Sequence, residues 1–134
     1  MIVVDASSLA KYILREENWK EVRKHLENED VFSLNLALAE ISNAVWKHYT
    51  LHKKISRKTA KTVFDAIRIL KDVVFFEPLE NYLEEAMKIS IEQKIPIYDS
   101  LYISQAINYG KIITSDKLQA KIANEMDIKV KYIE

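Results

Sequence analysis

Short apolar runs alternate along this chain with longer stretches of helical spacing, and that alternation constrains the fold more than anything else in it. Ile2-Val3-Val4 (with Asp5 at its end), Val31-Phe32-Ser33-Leu34, Val73 to Phe76, Lys111 to Ser115 and residues 129–133 read as strands. Between them the spacing predicts helices from about Ser7 to Leu14, Asn18 to Leu26, 36–50 with Asn35 as N-cap, Ser56 to about Leu70, 79–92, Asp99 onward, and 117–125. The apolar positions Ala60, Val63, Phe64, Ile67 and Leu70 have helical spacing, and in the helix over 79–92 Leu79, Leu83, Ala86, Met87 and Ile91 are expected to point inward. Gly110, the only glycine, sits where a helix C-terminus needs a left-handed residue. Strand alternating with helix predicts an α/β fold with a parallel sheet. The 134 residues contain no linker, repeat or low-complexity stretch, so residues 1–134 are expected to form one domain.

Four acids fall where a strand hands over to a helix. Asp5 closes the first apolar run, and Glu40 lies early in the helix after the second. Asp99 opens the stretch Ser100 to Ile107, and Asp116 follows Lys111-Ile112-Ile113-Thr114-Ser115. A parallel sheet gathers its strand C-terminal ends on one edge, where ligands bind. These acids therefore have a route to one pocket. Crowded carboxylates repel, so one must stay protonated or a cation must enter. An all-oxygen set suits Mg²⁺ or Mn²⁺, and a bound divalent ion activates water and stabilises charge on a phosphate. The natural substrate class is then a phosphodiester. Asp5, Asp99 and Asp116 are each also candidate helix caps, a purely structural role worth about 1 kcal/mol. Glu40 is harder to explain structurally. It lies among Leu36-Ala37-Leu38-Ala39 and Ile41, where an unpartnered carboxylate is costly.

Composition closes several other routes. There is no cysteine, hence no disulfide framework and no thiolate metal site. No apolar run approaches the roughly 20 residues that span a bilayer, and the N-terminus has no signal-peptide pattern, so a cytoplasmic protein without a membrane segment is expected. The single glycine excludes Gly-rich phosphate loops, and no GxSxG elbow supports a serine hydrolase. His48 and His52 have i, i+4 spacing but no HExxH context, so an exposed basic pair is expected rather than zinc.

The 20 basic and 20 acidic residues cancel, yet they are not evenly spread. No acid occurs from Ile41 to Phe64, a stretch holding Lys47, Lys53, Lys54, Arg57, Lys58 and Lys61. This basic run is read either as a track for an RNA backbone or as a solvated helix face. Trp46 and Tyr49 lie beside it; stacking on unpaired bases is one role, and core or dimer packing is favoured for Trp46. Lys11 and Arg15 are candidates for the pocket mouth, with surface pairing to Glu16 and Glu17 as the simpler account. Tyr12, Tyr98 and Tyr102 are placed around the pocket, mainly for packing. The Lys/Glu-rich, loop-poor composition leans towards a thermophile.

Val4-Asp5-Ala6-Ser7, Ala39-Glu40-Ile41-Ser42-Asn43-Ala44, Tyr98-Asp99-Ser100-Leu101-Tyr102 and Ile113-Thr114-Ser115-Asp116 together resemble the four signature segments of PIN-domain ribonucleases, best those of VapC-type toxins. The resemblance covers nearly the whole chain, in the same order and at similar spacing. It implies a three-layer α/β/α fold around a central, mainly parallel sheet of four to five strands. It also implies that Asp5, Glu40, Asp99 and Asp116 form an acidic quartet that binds metal and carries catalysis. Ser7 and Thr114 match hydroxyl positions lining that pocket, and Asn43 would stand behind Glu40. The implied activity is a Mg²⁺- or Mn²⁺-dependent endoribonuclease that hydrolyses RNA with a metal-activated water. A VapB-like antitoxin and a homodimer are the implied partners. Lys117-Leu118-Gln119 follow Asp116, so the further acid that some relatives carry there is absent.

Three alternatives stand beside this reading. One is a PIN-fold nuclease of RNA maturation or decay without an antitoxin. The second is a phosphatase or receiver-type domain, disfavoured because the third residue of Asp5-Ala6-Ser7 is not an acid. The third is a non-catalytic binding module with a vestigial acidic site.

Overall fold

The computed structural model describes residues 1–134. Five strands, β1 (Ile2–Val4), β2 (Val31–Leu34), β3 (Val74–Glu77), β4 (Lys111–Thr114) and β5 (Lys129–Tyr132), form one sheet in the order β3-β2-β1-β4-β5. Every pairing is parallel. Seven α-helices connect them: α1 (Ala6–Ile13), α2 (Trp19–Asn28), α3 (Leu36–Trp46), α4 (Arg57–Ile69), α5 (Leu83–Gln93), α6 (Ile97–Tyr109) and α7 (Lys117–Glu125).

This topology decides where a ligand can sit. The chain leaves β1 for β2 and then β3 through α1 to α4, which pack on one another. It returns past β1 to β4 and β5 through α5 to α7, with α5 against α6 and α6 against α7. Parallel crossovers are right-handed, so the reversal of direction sends the two groups of helices to opposite faces of the sheet. The reversal lies between β1 and β4, and the crevice at their C-terminal ends is the switch point where α/β sheets bind ligands. Asp5 follows β1 and Asp116 follows β4. The core is a single cluster of 29 buried apolar residues running through both layers of helices. Burying all of Ile2, Val3 and Val4 explains why β1 reads as an unbroken apolar run. No helix is long and apolar enough to cross a membrane.

Several local expectations need correction. Asn35 makes no cap bond to α3; its Oδ1 instead accepts from the Leu79 N–H at 3.1 Å, tying the β2 end to the β3 end. The helix expected over 36–50 stops being α-helical at Trp46 and continues as a π-helical turn, Lys47–Leu51, in which the His52 N–H reaches back to the Lys47 carbonyl at 2.9 Å. The segment after Pro78 begins as a 3₁₀ turn, Leu79–Tyr82, before α5, and of the apolar positions expected to point inward there Ala86 is buried while Leu83, Met87 and Ile91 are exposed. Helix α6 starts at Ile97 behind Pro96, so Asp99 lies inside its first turn rather than at the cap. Proline has no N–H to offer and its fixed φ suits a helix entry, which draws the start forward. Ser56 caps α4 through the Thr59 N–H, and Gly110 ends α6 at φ +80°, both as the sequence suggests.

Candidate active site

Asp5 is the most constrained side chain of the four. It caps α1 by accepting the Ser8 N–H on Oδ1 at 3.1 Å. The Ser7 hydroxyl reaches both carboxylate oxygens at 2.8 Å, and the Thr114 hydroxyl donates to Oδ2 at 2.6 Å. Only 3% of the residue is exposed. Burial pushes its pKa from 3.8 up to about 6, because the hydrogen bonds from Thr114, Ser8 and Ser7 offset only part of the desolvation. The charge of Asp116 adds to the rise.

Asp116 caps α7, accepting the Gln119 N–H on Oδ1 at 2.8 Å, while its own N–H donates to Thr114 Oγ1 at 3.0 Å. Thr114 thus joins the ends of β1 and β4 through one hydroxyl. Ser7 reinforces the joint by accepting the Ser115 N–H on Oγ at 3.0 Å. Glu40 projects from α3 and is half-buried, and its Oε2 accepts the Tyr102 hydroxyl from α6 at 2.7 Å. That hydroxyl is the partner its apolar surroundings demanded. Burial raises the Glu40 pKa, against the hydrogen bond from Tyr102 and with help from the charge of Asp99. Asp99 is raised by burial and by Asp116. Tyr102 is held far above its ordinary value by burial, then by Glu40. It therefore remains a donor at any pH of interest.

These groups line one cavity of about 310 Å³. Its walls carry Asp5, Ser7, Glu40, Asn43, Asp99, Tyr102, Asp116 and Gln119, along with Ala6, Ala10, Ala44 and Lys47. The structure thus brings together all four sequence-predicted acids, from four different elements, along with Ser7 and Asn43. Thr114 is fully buried directly behind Asp5. None of the four carboxylates has a cationic partner, since the chain's only ion pairs lie elsewhere. The donor set is all oxygen, negatively charged and uncompensated, which is the chemistry of a hard divalent cation site. No three acidic or histidine side chains grip a common ion point by themselves. Mg²⁺ requires no such cage, because it keeps several waters and takes one or two carboxylates directly. The residues present therefore fit the ion.

A sequence model of the PIN domain family matches residues 2–125, which include all four acids and every strand but β5. The chain belongs to the PIN domain family. This PIN domain is 26% identical to ribonuclease VapC3 of Pyrobaculum aerophilum over 90% of its own length and 92% of that protein's. It is likewise 26% identical to exonuclease VapC9 of the same organism, over 95% of this chain and 90% of the other. Among solved structures, VapBC2 of Rickettsia felis bound to a promoter DNA fragment matches with a TM-score of 0.68, full coverage of both chains and 16% identity, a likeness of fold.

Other candidates lie away from the PIN domain's cavity. The Lys11 ammonium donates to the Glu17 carbonyl at 3.2 Å. The Arg15 guanidinium sits over the Trp19 ring at 3.9 Å and also over Tyr12. Neither lines the cavity, and Glu16 and Glu17 form no side-chain ion pair with them. Tyr12 and Tyr98 are likewise outside it. Lys53, Lys54 and Arg57 are exposed beyond the π-helical turn, and of the basic stretch only Lys47 reaches the cavity wall. Trp46 is 50% exposed, so it is not a core residue.

Two contributors escaped the sequence reading. Gln119 is 1% exposed and reaches across with Nε2 to the Asp99 carbonyl at 2.9 Å, tying α7 to the first turn of α6. A glutamine in Lys117-Leu118-Gln119-Ala120 looks like any surface polar residue, and nothing local marks it. Tyr102 was read as packing, whereas its hydroxyl orients Glu40. The signal available was its spacing from Asp99, about one helical turn, which sets both on one face. Tyr102→Phe removes that donor without changing shape. For a nuclease acting through Glu40, cleavage is expected to fall roughly 10- to 100-fold with near-normal stability, as for groups that orient a metal-site ligand. Wild-type turnover in that variant would show that Glu40 needs no orienting bond.

Proposed function

We propose that this PIN domain is a divalent-metal-dependent ribonuclease that cuts single-stranded or loop RNA internally, as the toxin of a VapBC-type pair. The observation that carries the reading is the convergence of Asp5, Glu40, Asp99 and Asp116 at the sheet's switch point, none of them held in an ion pair. Its relatives named ribonuclease and exonuclease support nuclease chemistry. Asp5, Asp99 and Asp116 are the residues that would hold Mg²⁺ or Mn²⁺, directly or through water. Bound there, the ion would lower the pKa of a water and offset charge building on the phosphate. Glu40, oriented by Tyr102 and with its proton affinity raised by burial, accepts the proton of the attacking water. Asn43, one turn beyond Glu40 on the cavity wall, offers an amide to a phosphate oxygen.

The VapBC2 neighbour supports an antitoxin partner. A homodimer in the cytoplasm completes the reading. The exposed stripe Leu83, Met87 and Ile91 along α5 supports the dimer as an apolar face without cover in a lone chain.

The deciding experiment is Mn²⁺ titration by calorimetry on the wild type and Asp99→Asn, followed by assay on fluorescent single-stranded RNA. Binding and cleavage are expected in the wild type, with cleavage lost in the variant at unchanged circular dichroism. Circular RNA of the same sequence should also be cut, which an exonuclease would not do. A chain that neither binds Mn²⁺ nor cleaves would reduce the four acids to helix caps and favour a binding module.

A further inference from the structure

A site that repels anions must still hold a polyanion, and the cavity wall contains one cation with which to do so. That residue is Lys47. The others lining the cavity are acidic, neutral polar or apolar. Lys47 continues the α3 face that carries Glu40, Asn43 and Ala44, at i+7 from Glu40. It is also the residue at which α3 gives way to the π-helical turn Lys47–Leu51. Such turns shift the helical register and recur at functional sites.

The ion pairs of the chain exclude the obvious structural role. Lys47 lines a cavity with four carboxylates, yet it forms no salt bridge with any of them. A lysine serving as counter-ion would be drawn onto a carboxylate at once, as Lys111 is onto Glu29 at 3.5 Å. Lys47 is exposed and its ammonium is uncommitted. Beyond it in the chain the basic run continues through Lys53, Lys54 and Arg57, all exposed. Trp46 and Tyr49, its neighbours in the chain, are 50% and 40% exposed.

We propose that Lys47 is the residue that binds a backbone phosphate of the RNA strand next to the reacting centre, with the strand leaving the cavity along the π-helical turn. This rests on the nuclease reading and names the group that overcomes the site's repulsion of its substrate. Lys47 contributes attraction for the strand rather than chemistry. Its loss is therefore felt in substrate affinity and salt dependence and spares turnover and metal affinity.

The test compares Lys47→Ala, Lys47→Arg and, as a distant control, Lys88→Ala on α5. For Lys47→Ala the KM for single-stranded RNA should rise about 10-fold or more with kcat within about 2-fold. The slope of log(kcat/KM) against log salt should become shallower by about 0.7, the loss of one single-strand phosphate contact. Lys47→Arg should restore both, Lys88→Ala should change neither, and Mn²⁺ affinity by calorimetry should be the same in all. An unchanged salt slope together with altered Mn²⁺ affinity would make Lys47 a counter-ion of the carboxylates and overturn the proposal. RNA binding by fluorescence anisotropy in the Asp5→Asn background separates the two layers of inference. If Asp5→Asn binds RNA and adding Lys47→Ala leaves binding unchanged, Lys47 is wrong and the nuclease reading stands. If neither Asp5→Asn nor the metal-free wild type binds RNA at all, and the Mn²⁺-loaded wild type cleaves none, both fall.

Discussion

Asp5→Asn is expected to abolish RNA cleavage and, at the same time, to make the metal-free protein more stable. The activity should fall roughly 10³-fold, beyond the 10- to 100-fold typical of groups that only support a metal ligand. The gain in stability follows from the environment of Asp5. Its folded pKa is about 6 against 3.8 for the free side chain. Between those values the folded chain binds more protons than the unfolded one, so stability falls as pH rises through that window. Above pH 6 the full cost of the buried charge is present, at most about 3 kcal/mol at 1.36 kcal/mol per unit. Asparagine carries no charge and keeps the network. Its Oδ1 still accepts the Ser8 N–H. Its amide donates to Thr114 Oγ1, freeing the Thr114 proton for Gln119 Oε1, 3.3 Å away. Urea unfolding at pH 7.5 should place the variant about 1–3 kcal/mol above the wild type, with the two converging near pH 4. Added Mn²⁺ should close the gap from the other side, because an ion that binds only the wild-type folded state stabilises it by mass action. A variant less stable than wild type at pH 7.5 would mean that Asp5 is a structural cap.

Thr114→Val is the second large effect, and it separates chemistry from framework. Valine has nearly the shape of threonine, so the buried volume is kept. It deprives Asp5 Oδ2 of its 2.6 Å donor and the Asp116 N–H of its acceptor. Two buried or half-buried polar groups left unpaired should lower stability by about 2 kcal/mol. The sharper readout is pH dependence. Thr114 is the largest of the influences that lower the Asp5 pKa against its burial, so removing it drives that pKa further up. On the proposed mechanism, ion binding and cleavage both need the ionised carboxylate. The acid limb of the pH–rate profile should therefore move up by roughly one unit. Loss should be about fivefold worse at pH 6 than at pH 8, and Thr114→Ser should restore the limb. An acid limb unmoved by Thr114→Val would detach Asp5 from the pH dependence.

How much of the site could be read before folding depends on the range of the interaction involved. Asp5 and Asp116 were legible because each does something local: it ends a strand and caps the next helix. Glu40 was legible as an anomaly, a carboxylate in an apolar stretch, but its remedy in Tyr102 lies 62 residues away. The basic run from Ile41 to Phe64 was plain. The sequence did not distinguish Lys47 from Lys53, Lys54 or Arg57, since that depends on where α3 loses its α-helical register. Lys11 and Arg15 were reasonable candidates that Glu17 and Trp19 claim instead.

The sequence by itself determined the alternation of strand and helix, and so a parallel sheet with acids at its C-terminal edge. Periodicity and capping act over a few residues and survive in any arrangement of the chain. Only the tertiary structure decided that β1 lies between β2 and β4. That placement brings Asp5 to Thr114 across 109 residues and makes four separate acids one cavity. It also decided that Gln119 closes the far wall and that Lys47 alone faces in. Strand order and side-chain contacts of this kind arise from burial of the whole core, a property no local stretch of sequence carries.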